Sequence, residues 1–197
     1  MSELELTKAA ISGSRDAFCD LYDMYRVRLY RYAYYRLRDE NDAEDAVSSC
    51  VLSAWEQIGK LREPEAFAAW IFRILRGACG RVIKDQIDRK MIIPLDMTGS
   101  DEGLEDEDAG KPYEAASGPD QTSDSTDAPD PEKSAILMEA LSTLDEENRE
   151  MVLLSAIGGL TGKDIGEMYG MPQGTVRSRL SRSFAAMRKL MEAGDER

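Results

Sequence analysis

Leu160-Thr161-Gly162-Lys163-Asp164-Ile165-Gly166-Glu167-Met168-Tyr169-Gly170-Met171-Pro172-Gln173-Gly174-Thr175-Val176-Arg177-Ser178-Arg179-Leu180-Ser181-Arg182 is the stretch on which the fold of this 197-residue chain turns. Thr161 is a residue type that caps a helix, here one running to about Tyr169. Gly170 can adopt the left-handed conformation that ends it, and Pro172 suits the opening of a longer helix with Val176, Leu180, Phe184, Met187 and Leu190 facing inward. Two helices joined by a turn of three or four residues that contains glycine form the helix-turn-helix pattern. With Val176 and Leu180 inward, about 100° of rotation per residue turns Thr175, Ser178, Ser181 and Arg182 away from the core and sets Arg177 and Arg179 on the flanks. Guanidinium groups placed there can reach guanine edges or phosphates in a major groove. The competing reading is a helical hairpin with a basic, solvated face.

Upstream of this motif, Ser134 to Leu141 reads as helical. Thr143 with Glu146 forms a capping-box pattern ahead of a helix that ends at Gly158-Gly159. In the first half of the chain, Phe18, Leu21, Tyr22, Tyr25, Leu29, Ala33 and Leu37 recur at helical spacing, as do Ala43, Val47, Cys50, Val51, Ala54 and Ile58. Asn41, with Glu44 three residues on, is the expected start of that second helix. A third should begin near Glu63, with Pro64 in its first turn and Phe67, Trp70, Ile71, Ile74, Leu75 and Ala78 inward. A short helix over Leu4 to Ile11 completes an all-helical N-terminal domain.

A net charge of −13 is unusual for a protein that meets nucleic acid, so its distribution matters. Residues 91–133 hold thirteen acidic and two basic side chains, and are rich in Asp, Ser, Gly and Pro. The acidity is thereby concentrated in one segment, and the flanks are left free to carry basic faces. Such a composition cannot bury enough apolar surface to offset its ordering entropy, so 91–133 is expected to be a flexible linker between two domains, 1–90 and 134–197. As a coil it would span on the order of 35–40 Å. No apolar run reaches the roughly 20 residues of a membrane span, and the first residues lack the features of a signal peptide, so a cytoplasmic protein with no membrane insertion is expected. Cys19, Cys50 and Cys79 form no CxxC pair and the chain has no histidine. They read as buried, reduced thiols, with no metal, no cofactor and no catalytic constellation, and an enzyme is not expected.

On the third helix, Arg73, Arg76 and Lys84 share one sector away from Ile74, with Gly77 and Gly80 close by. Small residues there would let a phosphate backbone approach, and the stripe could follow a single strand.

The stretch 160–182 resembles region 4.2 of the extracytoplasmic-function sigma factors of the sigma-70 family, whose pattern includes a GTVKSRL recognition helix. Asp42-Ala43-Glu44-Asp45, followed ten residues later by Trp55, resembles the DAEDLVQETFLRAW signature of region 2, and Ala66-Phe67-Ala68-Ala69-Trp70-Ile71-Phe72-Arg73-Ile74 resembles its AF-x-x-WL-x-RIA stretch. The resemblance implies two small helical domains, region 2 and region 4, joined by the acidic linker. It implies that the clamp and flap of core RNA polymerase are partners, the clamp contact falling on Asp42, Asp45, Ser48, Ser49, Leu52 and Trp55. Promoter DNA is the second implied partner. The minus 35 box would be read by Thr175, Arg177, Ser178, Arg179, Ser181 and Arg182. The minus 10 element would be opened and held by Arg73, Arg76 and Lys84, with Lys60 and Arg62 on the loop 59–63 that walls a base pocket. An anti-sigma factor is a further implied partner. Where the family usually has QETF this chain has Ser48-Ser49-Cys50-Val51, and where an arginine-asparagine pair is common it has Arg76-Gly77. Two other readings fit the same residues: a helix-turn-helix regulator that works without polymerase, and a decoy that only occupies an anti-sigma factor.

Overall fold

The computed structural model describes residues 1–91 and 131–195, and their regular structure is helical throughout. Ser2 opens α1 (Glu3–Ile11) with a capping box: its hydroxyl accepts from the amide of Glu5, whose carboxylate accepts from the amide of Ser2. Ser14 caps α2 (Arg15–Leu37), which ends with Arg38 at φ 62°, a left-handed conformation. Asp39 follows at once in extended conformation and accepts from the amide of Asp42, so α3 runs from Glu40 to Gln57. The expected cap at Asn41 is therefore replaced by Asp39, because the left-handed residue ends α2 only one position earlier. Pro64 opens a single 3-10 turn, Pro64–Ala66, and α4 begins after it at Phe67 and runs to Met91.

These four helices close one core, with α2 packed on α1, α3 and α4. Leu21, Leu29, Tyr32, Phe67, Ile71, Phe72 and Leu75 are all less than 2% exposed. Each full burial of a side chain of this size contributes about 1.5–3 kcal/mol. Edge contacts between rings tie the helices together, Tyr25 to Phe67 at 5.3 Å and Tyr32 to Phe72 at 5.6 Å. Most of the expected inward stripes are buried, while Tyr22, Leu37, Val51, Trp70 and Ile74 are half-buried. Tyr32, Tyr35, Phe72 and Cys79 add to the core beyond those stripes. Of the three free thiols, Cys50 and Cys79 are buried and Cys19 is exposed, against expectation. Cys19 follows the inward Phe18 by one residue, about 100° around the helix.

The second unit consists of α5 (Pro131–Ser142), α6 (Glu146–Ala156), α7 (Gly162–Tyr169) and α8 (Gln173–Asp195). Helix α5 starts three residues before Ser134. Asp145 caps α6 by accepting from the amide of Asn148, and Thr143 instead donates its hydroxyl to the Ala140 carbonyl at 2.8 Å. On α8 the buried stripe is Val176, Leu180, Ser183 and Met187, while Phe184 and Leu190 are exposed. Phe184 lies about 80° off the axis set by Val176, and Ser183 takes the inward place. The expected linker lies outside the described residues, apart from its ends at Met91 and 131–133, which are helical.

Candidate nucleic-acid interface

The α7–α8 corner is built by backbone constraints that its sequence makes easy. Thr161 and Asp164 cap each other: Asp164 Oδ2 accepts from the Thr161 amide at 2.8 Å, and Thr161 Oγ1 accepts from the Asp164 amide at 3.2 Å. Gly170 stops α7 at φ 64°, a conformation that costs L-residues about 1–2 kcal/mol. The chain turns back so tightly that the Met171 amide bonds the Gly166 carbonyl at 2.8 Å, and a Cβ on Gly166 would lie 2.6 Å from the Met171 carbonyl oxygen. Ile165 and Val176 are fully buried and hold the two helices at this corner.

The geometry leaves Thr175, Arg177, Ser178, Ser181 and Arg182 exposed on the start of α8. Ser178 donates to the Gly174 carbonyl at 2.7 Å, and Arg182 Nε donates to the Ser178 carbonyl at 3.3 Å, so that guanidinium lies back along its own helix. Arg179 differs from the expected open flank: it is half-buried and paired with Glu147 on α6. The free helix face is thus one-sided, with Arg177 and Arg182 as its cations.

On α4, Arg73 and Lys84 are exposed, and a Cβ on Gly77 or Gly80 would meet nothing within 4 Å, so that face is open. Lys60 closes the 3-10 turn Ile58–Lys60, and Arg62 is exposed just beyond it. On α3, Asp45, Ser48, Ser49, Leu52 and Trp55 form an exposed strip, with Leu52 67% exposed and the Trp55 ring 5.2 Å from Phe18. Asp42 is set apart from this strip, since its carboxylate accepts from Gln86 Nε2 on α4 at 2.6 Å. Beside the strip, an open groove of about 330 Å³ between α2 and α3 is lined by Tyr22, Arg26, Tyr30, Glu44, Val47 and Ser48. Among the described residues, no cluster of histidine, cysteine or carboxylate side chains is placed to hold a metal ion, and no helix is long and apolar enough to cross a membrane.

Both helical units match described protein families. The family descriptions Sigma-70 region 2 and Sigma-70, region 4 match residues 21–88 and 134–187. The ECF RNA polymerase sigma factor SigM of Mycobacterium tuberculosis is 30% identical over 190 residues, covering 96% of this chain and 85% of that protein. The chain belongs to the extracytoplasmic-function sigma factors of the sigma-70 family. It is an RNA polymerase sigma factor, and core polymerase and promoter DNA are its partners. A further relative of this sigma factor, SigW of Bacillus subtilis, is 27% identical over 193 residues and 92% of each chain. Its fold matches that of CnrH in a complex with the cytosolic domain of CnrY, with TM-score 0.65, 21% identity and 97% of each chain covered. It also matches the sigma factor RpoE of Bartonella quintana in a complex with the anti-sigma factor NepR, with TM-score 0.60, 20% identity, 88% of this chain and 97% of that chain.

The residue of this sigma factor that sequence reading passes over is Glu150 on α6, 4% exposed. Its carboxylate is shared by Arg36 and Tyr32 of α2, Arg76 of α4 and Tyr169 of α7. The Tyr32 hydroxyl donates at 3.1 Å and Arg76 Nε lies at 3.2 Å, while the Arg76 guanidinium stacks 4.4 Å from the centre of the Tyr169 ring. Burial, then the Glu150 carboxylate, holds both tyrosine hydroxyls above their ordinary range. They therefore stay protonated as donors at neutral pH. A signal was present in the sequence: Glu150 shares the helix sector of Leu153, Leu154 and Ile157, and a charge on an otherwise apolar face needs partners.

Proposed function

We propose that this sigma factor reads the minus 35 box with the start of α8 and captures the opened minus 10 strand along α4, while the α3 strip docks on the polymerase clamp. The observation that carries this is the α7–α8 corner, whose capped, glycine-closed geometry leaves Thr175, Arg177, Ser178, Ser181 and Arg182 on one solvent face while the apolar face is buried. A face of this width and polarity fits a major groove, where paired donors on arginine match guanine O6 and N7. On α4, Arg73 and Lys84 beside the open backbone at Gly77 and Gly80 suit a phosphate chain that runs past small residues, with Lys60 and Arg62 at the approach. The α3 strip combines the acid Asp45 with exposed Leu52 and Trp55, which is the mixed polar and aromatic make-up of a protein contact. Protein units 1–90 and 134–197, joined through 91–133, carry the two tasks. The work is binding and strand capture, with no catalytic step, and takes place in the cytoplasm.

An anti-sigma factor is part of this proposal. CnrH and the Bartonella RpoE share the fold and are, by description, in complexes with CnrY and NepR. The test of the whole reading is run-off transcription by purified core polymerase on a genomic fragment library, with and without this protein. Discrete protein-dependent transcripts are expected, and an unchanged transcript pattern would overturn it.

A further inference from the structure

The first turn of α6 carries three consecutive acids, Asp145, Glu146 and Glu147, and packs beside α8. Local duties account for part of this. Asp145 caps α6 through the amide of Asn148, and the positive end of a helix favours acids in its first turn. Neither duty calls for a partner on another helix, yet Glu147 Oε2 accepts from Arg179 Nη1 across to α8. The Asn148 amide, ahead of the charge of Arg179, holds the Asp145 carboxyl below the usual carboxylate range, so Asp145 also stays ionised beside this guanidinium. Arg179 lies roughly 70° from the inward axis of Val176, Leu180, Ser183 and Met187, on the side of α6, and Arg177 lies roughly 90° from that axis on the other side. An open cleft of about 410 Å³ runs between the two helices, lined by Asp145, Glu147, Asn148, Arg179, Arg182 and Ser183. Arg182 belongs both to this cleft and to the exposed face of α8, so a duplex seated on that face would carry its phosphates past the mouth of the cleft.

We propose that Glu147 sets the selectivity of duplex reading: it withholds Arg179 from DNA phosphates, so that sequence-independent binding stays weak and base contacts from the rest of α8 decide where the protein remains. This deepens the reading of α8 as the minus 35 element and rests on it. Sequence-independent binding is held almost wholly by phosphates, each neutralised one adding about 0.9 to the salt slope. A free arginine at the edge of α8 would add such a contact on any sequence, because a long, flexible cation finds a phosphate wherever the backbone lies. Paired with Glu147, Arg179 gains little by that exchange. A phosphate replaces a carboxylate as its counter-ion, and the released Glu147 is left with Asp145 and Glu146 facing the DNA backbone, where like charges repel. The pair is partly exposed and adds little to the stability of the fold. Its effect is to disfavour the wrong partner rather than to strengthen the right one. In a complex seated by base contacts the phosphates are fixed relative to α8, so a freed Arg179 has fewer of them to choose from and Glu147 matters less. Glu147 acts through Arg179 as a positioning residue, and Thr175, Arg177, Ser178, Ser181 and Arg182 remain the contacting set.

Fluorescence anisotropy of two labelled duplexes, read with the full-length protein over a range of salt, tests this. One is a random-sequence duplex of about 20 base pairs, and the other is a duplex that the parent protein enriches from a random-sequence pool. Glu147→Gln keeps the shape of the side chain and removes its charge. We expect its affinity for the random duplex to rise about threefold or more at low salt and the salt slope to steepen by about 0.9, with a smaller rise on the enriched duplex, so that the ratio of the two affinities falls. Adding Arg179→Gln to Glu147→Gln should return binding of the random duplex to the parent value, because Arg179 makes the gained contact. Glu147→Asp, which retains the charge, should keep the parent slope. Unchanged binding of the random duplex by Glu147→Gln, an equal rise on both duplexes, or a gain that survives Arg179→Gln would each overturn the proposal. Arg177→Ala separates that failure from failure of the α8 reading. If no duplex is enriched, or Arg177→Ala binds the enriched duplex like the parent, the α8 reading itself falls. Weaker binding by Arg177→Ala together with an inert Glu147 would leave α8 in place and remove only the selectivity role.

Discussion

Arg177 shows how much a single exposed side chain is asked to do. It is the flanking cation of α8 that no other helix engages among the described contacts, whereas Arg179 is held by Glu147. Arg177→Ala should weaken binding to a minus 35 duplex by roughly 1–3 kcal/mol if it contacts a base, with relaxed specificity, or flatten the salt slope by about 0.9 if it contacts a phosphate. Filter binding at several salt concentrations separates the two, and polymerase pull-down should be unchanged. The cysteines divide by the same logic of exposure. Burial pushes the thiols of Cys50 and Cys79 up to about 12, and Cys19 is exposed. Titration of native protein with an aromatic disulfide at pH 8 should therefore consume one thiol per chain, and three after denaturation. The raised values also fix the sign of an alkaline effect. The two buried thiols contribute stability that is fully present below the unfolded value near 8.5, and it is lost as pH rises from there through about 12. Denaturant midpoints measured between pH 8 and 11 should fall steadily.

At the scale of elements, junctions matter more than helix interiors. Arg38 joins α2 to α3 at φ 62°, where a side chain is strained and glycine is not. Arg38→Gly should raise stability by up to about 1 kcal/mol, the relief of strain being partly offset by the extra freedom of glycine when unfolded. Urea titration followed by circular dichroism reads this directly, and a fall in the midpoint would show that the Arg38 side chain has a role the conformation outweighs. The α3 strip carries a different expectation. Asp45→Lys reverses a charge beside exposed Leu52 and Trp55 without touching the core, so core polymerase binding should drop while binding of a minus 35 duplex is retained. Asp42 would be a poorer test, because its bond to Gln86 also fastens α3 to α4 and the substitution would disturb both.

For the whole molecule, the charge of −13 is unevenly spread, with most of the net negative charge carried by 91–133. Replacing Asp101, Glu102, Glu105, Asp106, Glu107 and Asp108 with Ser and Gln at constant length should weaken holoenzyme formation, most at low salt, where charge acts over the longest range. Equal polymerase affinity at every salt concentration would leave the segment a spacer only. How the units themselves come to be arranged divides cleanly between sequence and tertiary structure. Periodicity determined the helices, and glycine, proline and capping residues determined the α7–α8 corner, because those constraints act within a turn or two of the chain. Exposure of Arg177, Arg182, Arg73 and Lys84 was legible for the same reason, since each sits beside or opposite a local apolar stripe. Local spacing did not fix Asp39 over Asn41 as a cap, or Ser183 over Phe184 as the inward residue, because the end of α2 and the packing of α8 chose between candidates one or two positions apart. Nor did it place Arg76 and Arg179 beside Glu150 and Glu147. Those pairings join residues dozens of positions apart, and a charge seeks its partner through space, where the distance along the chain has no bearing on which one it meets.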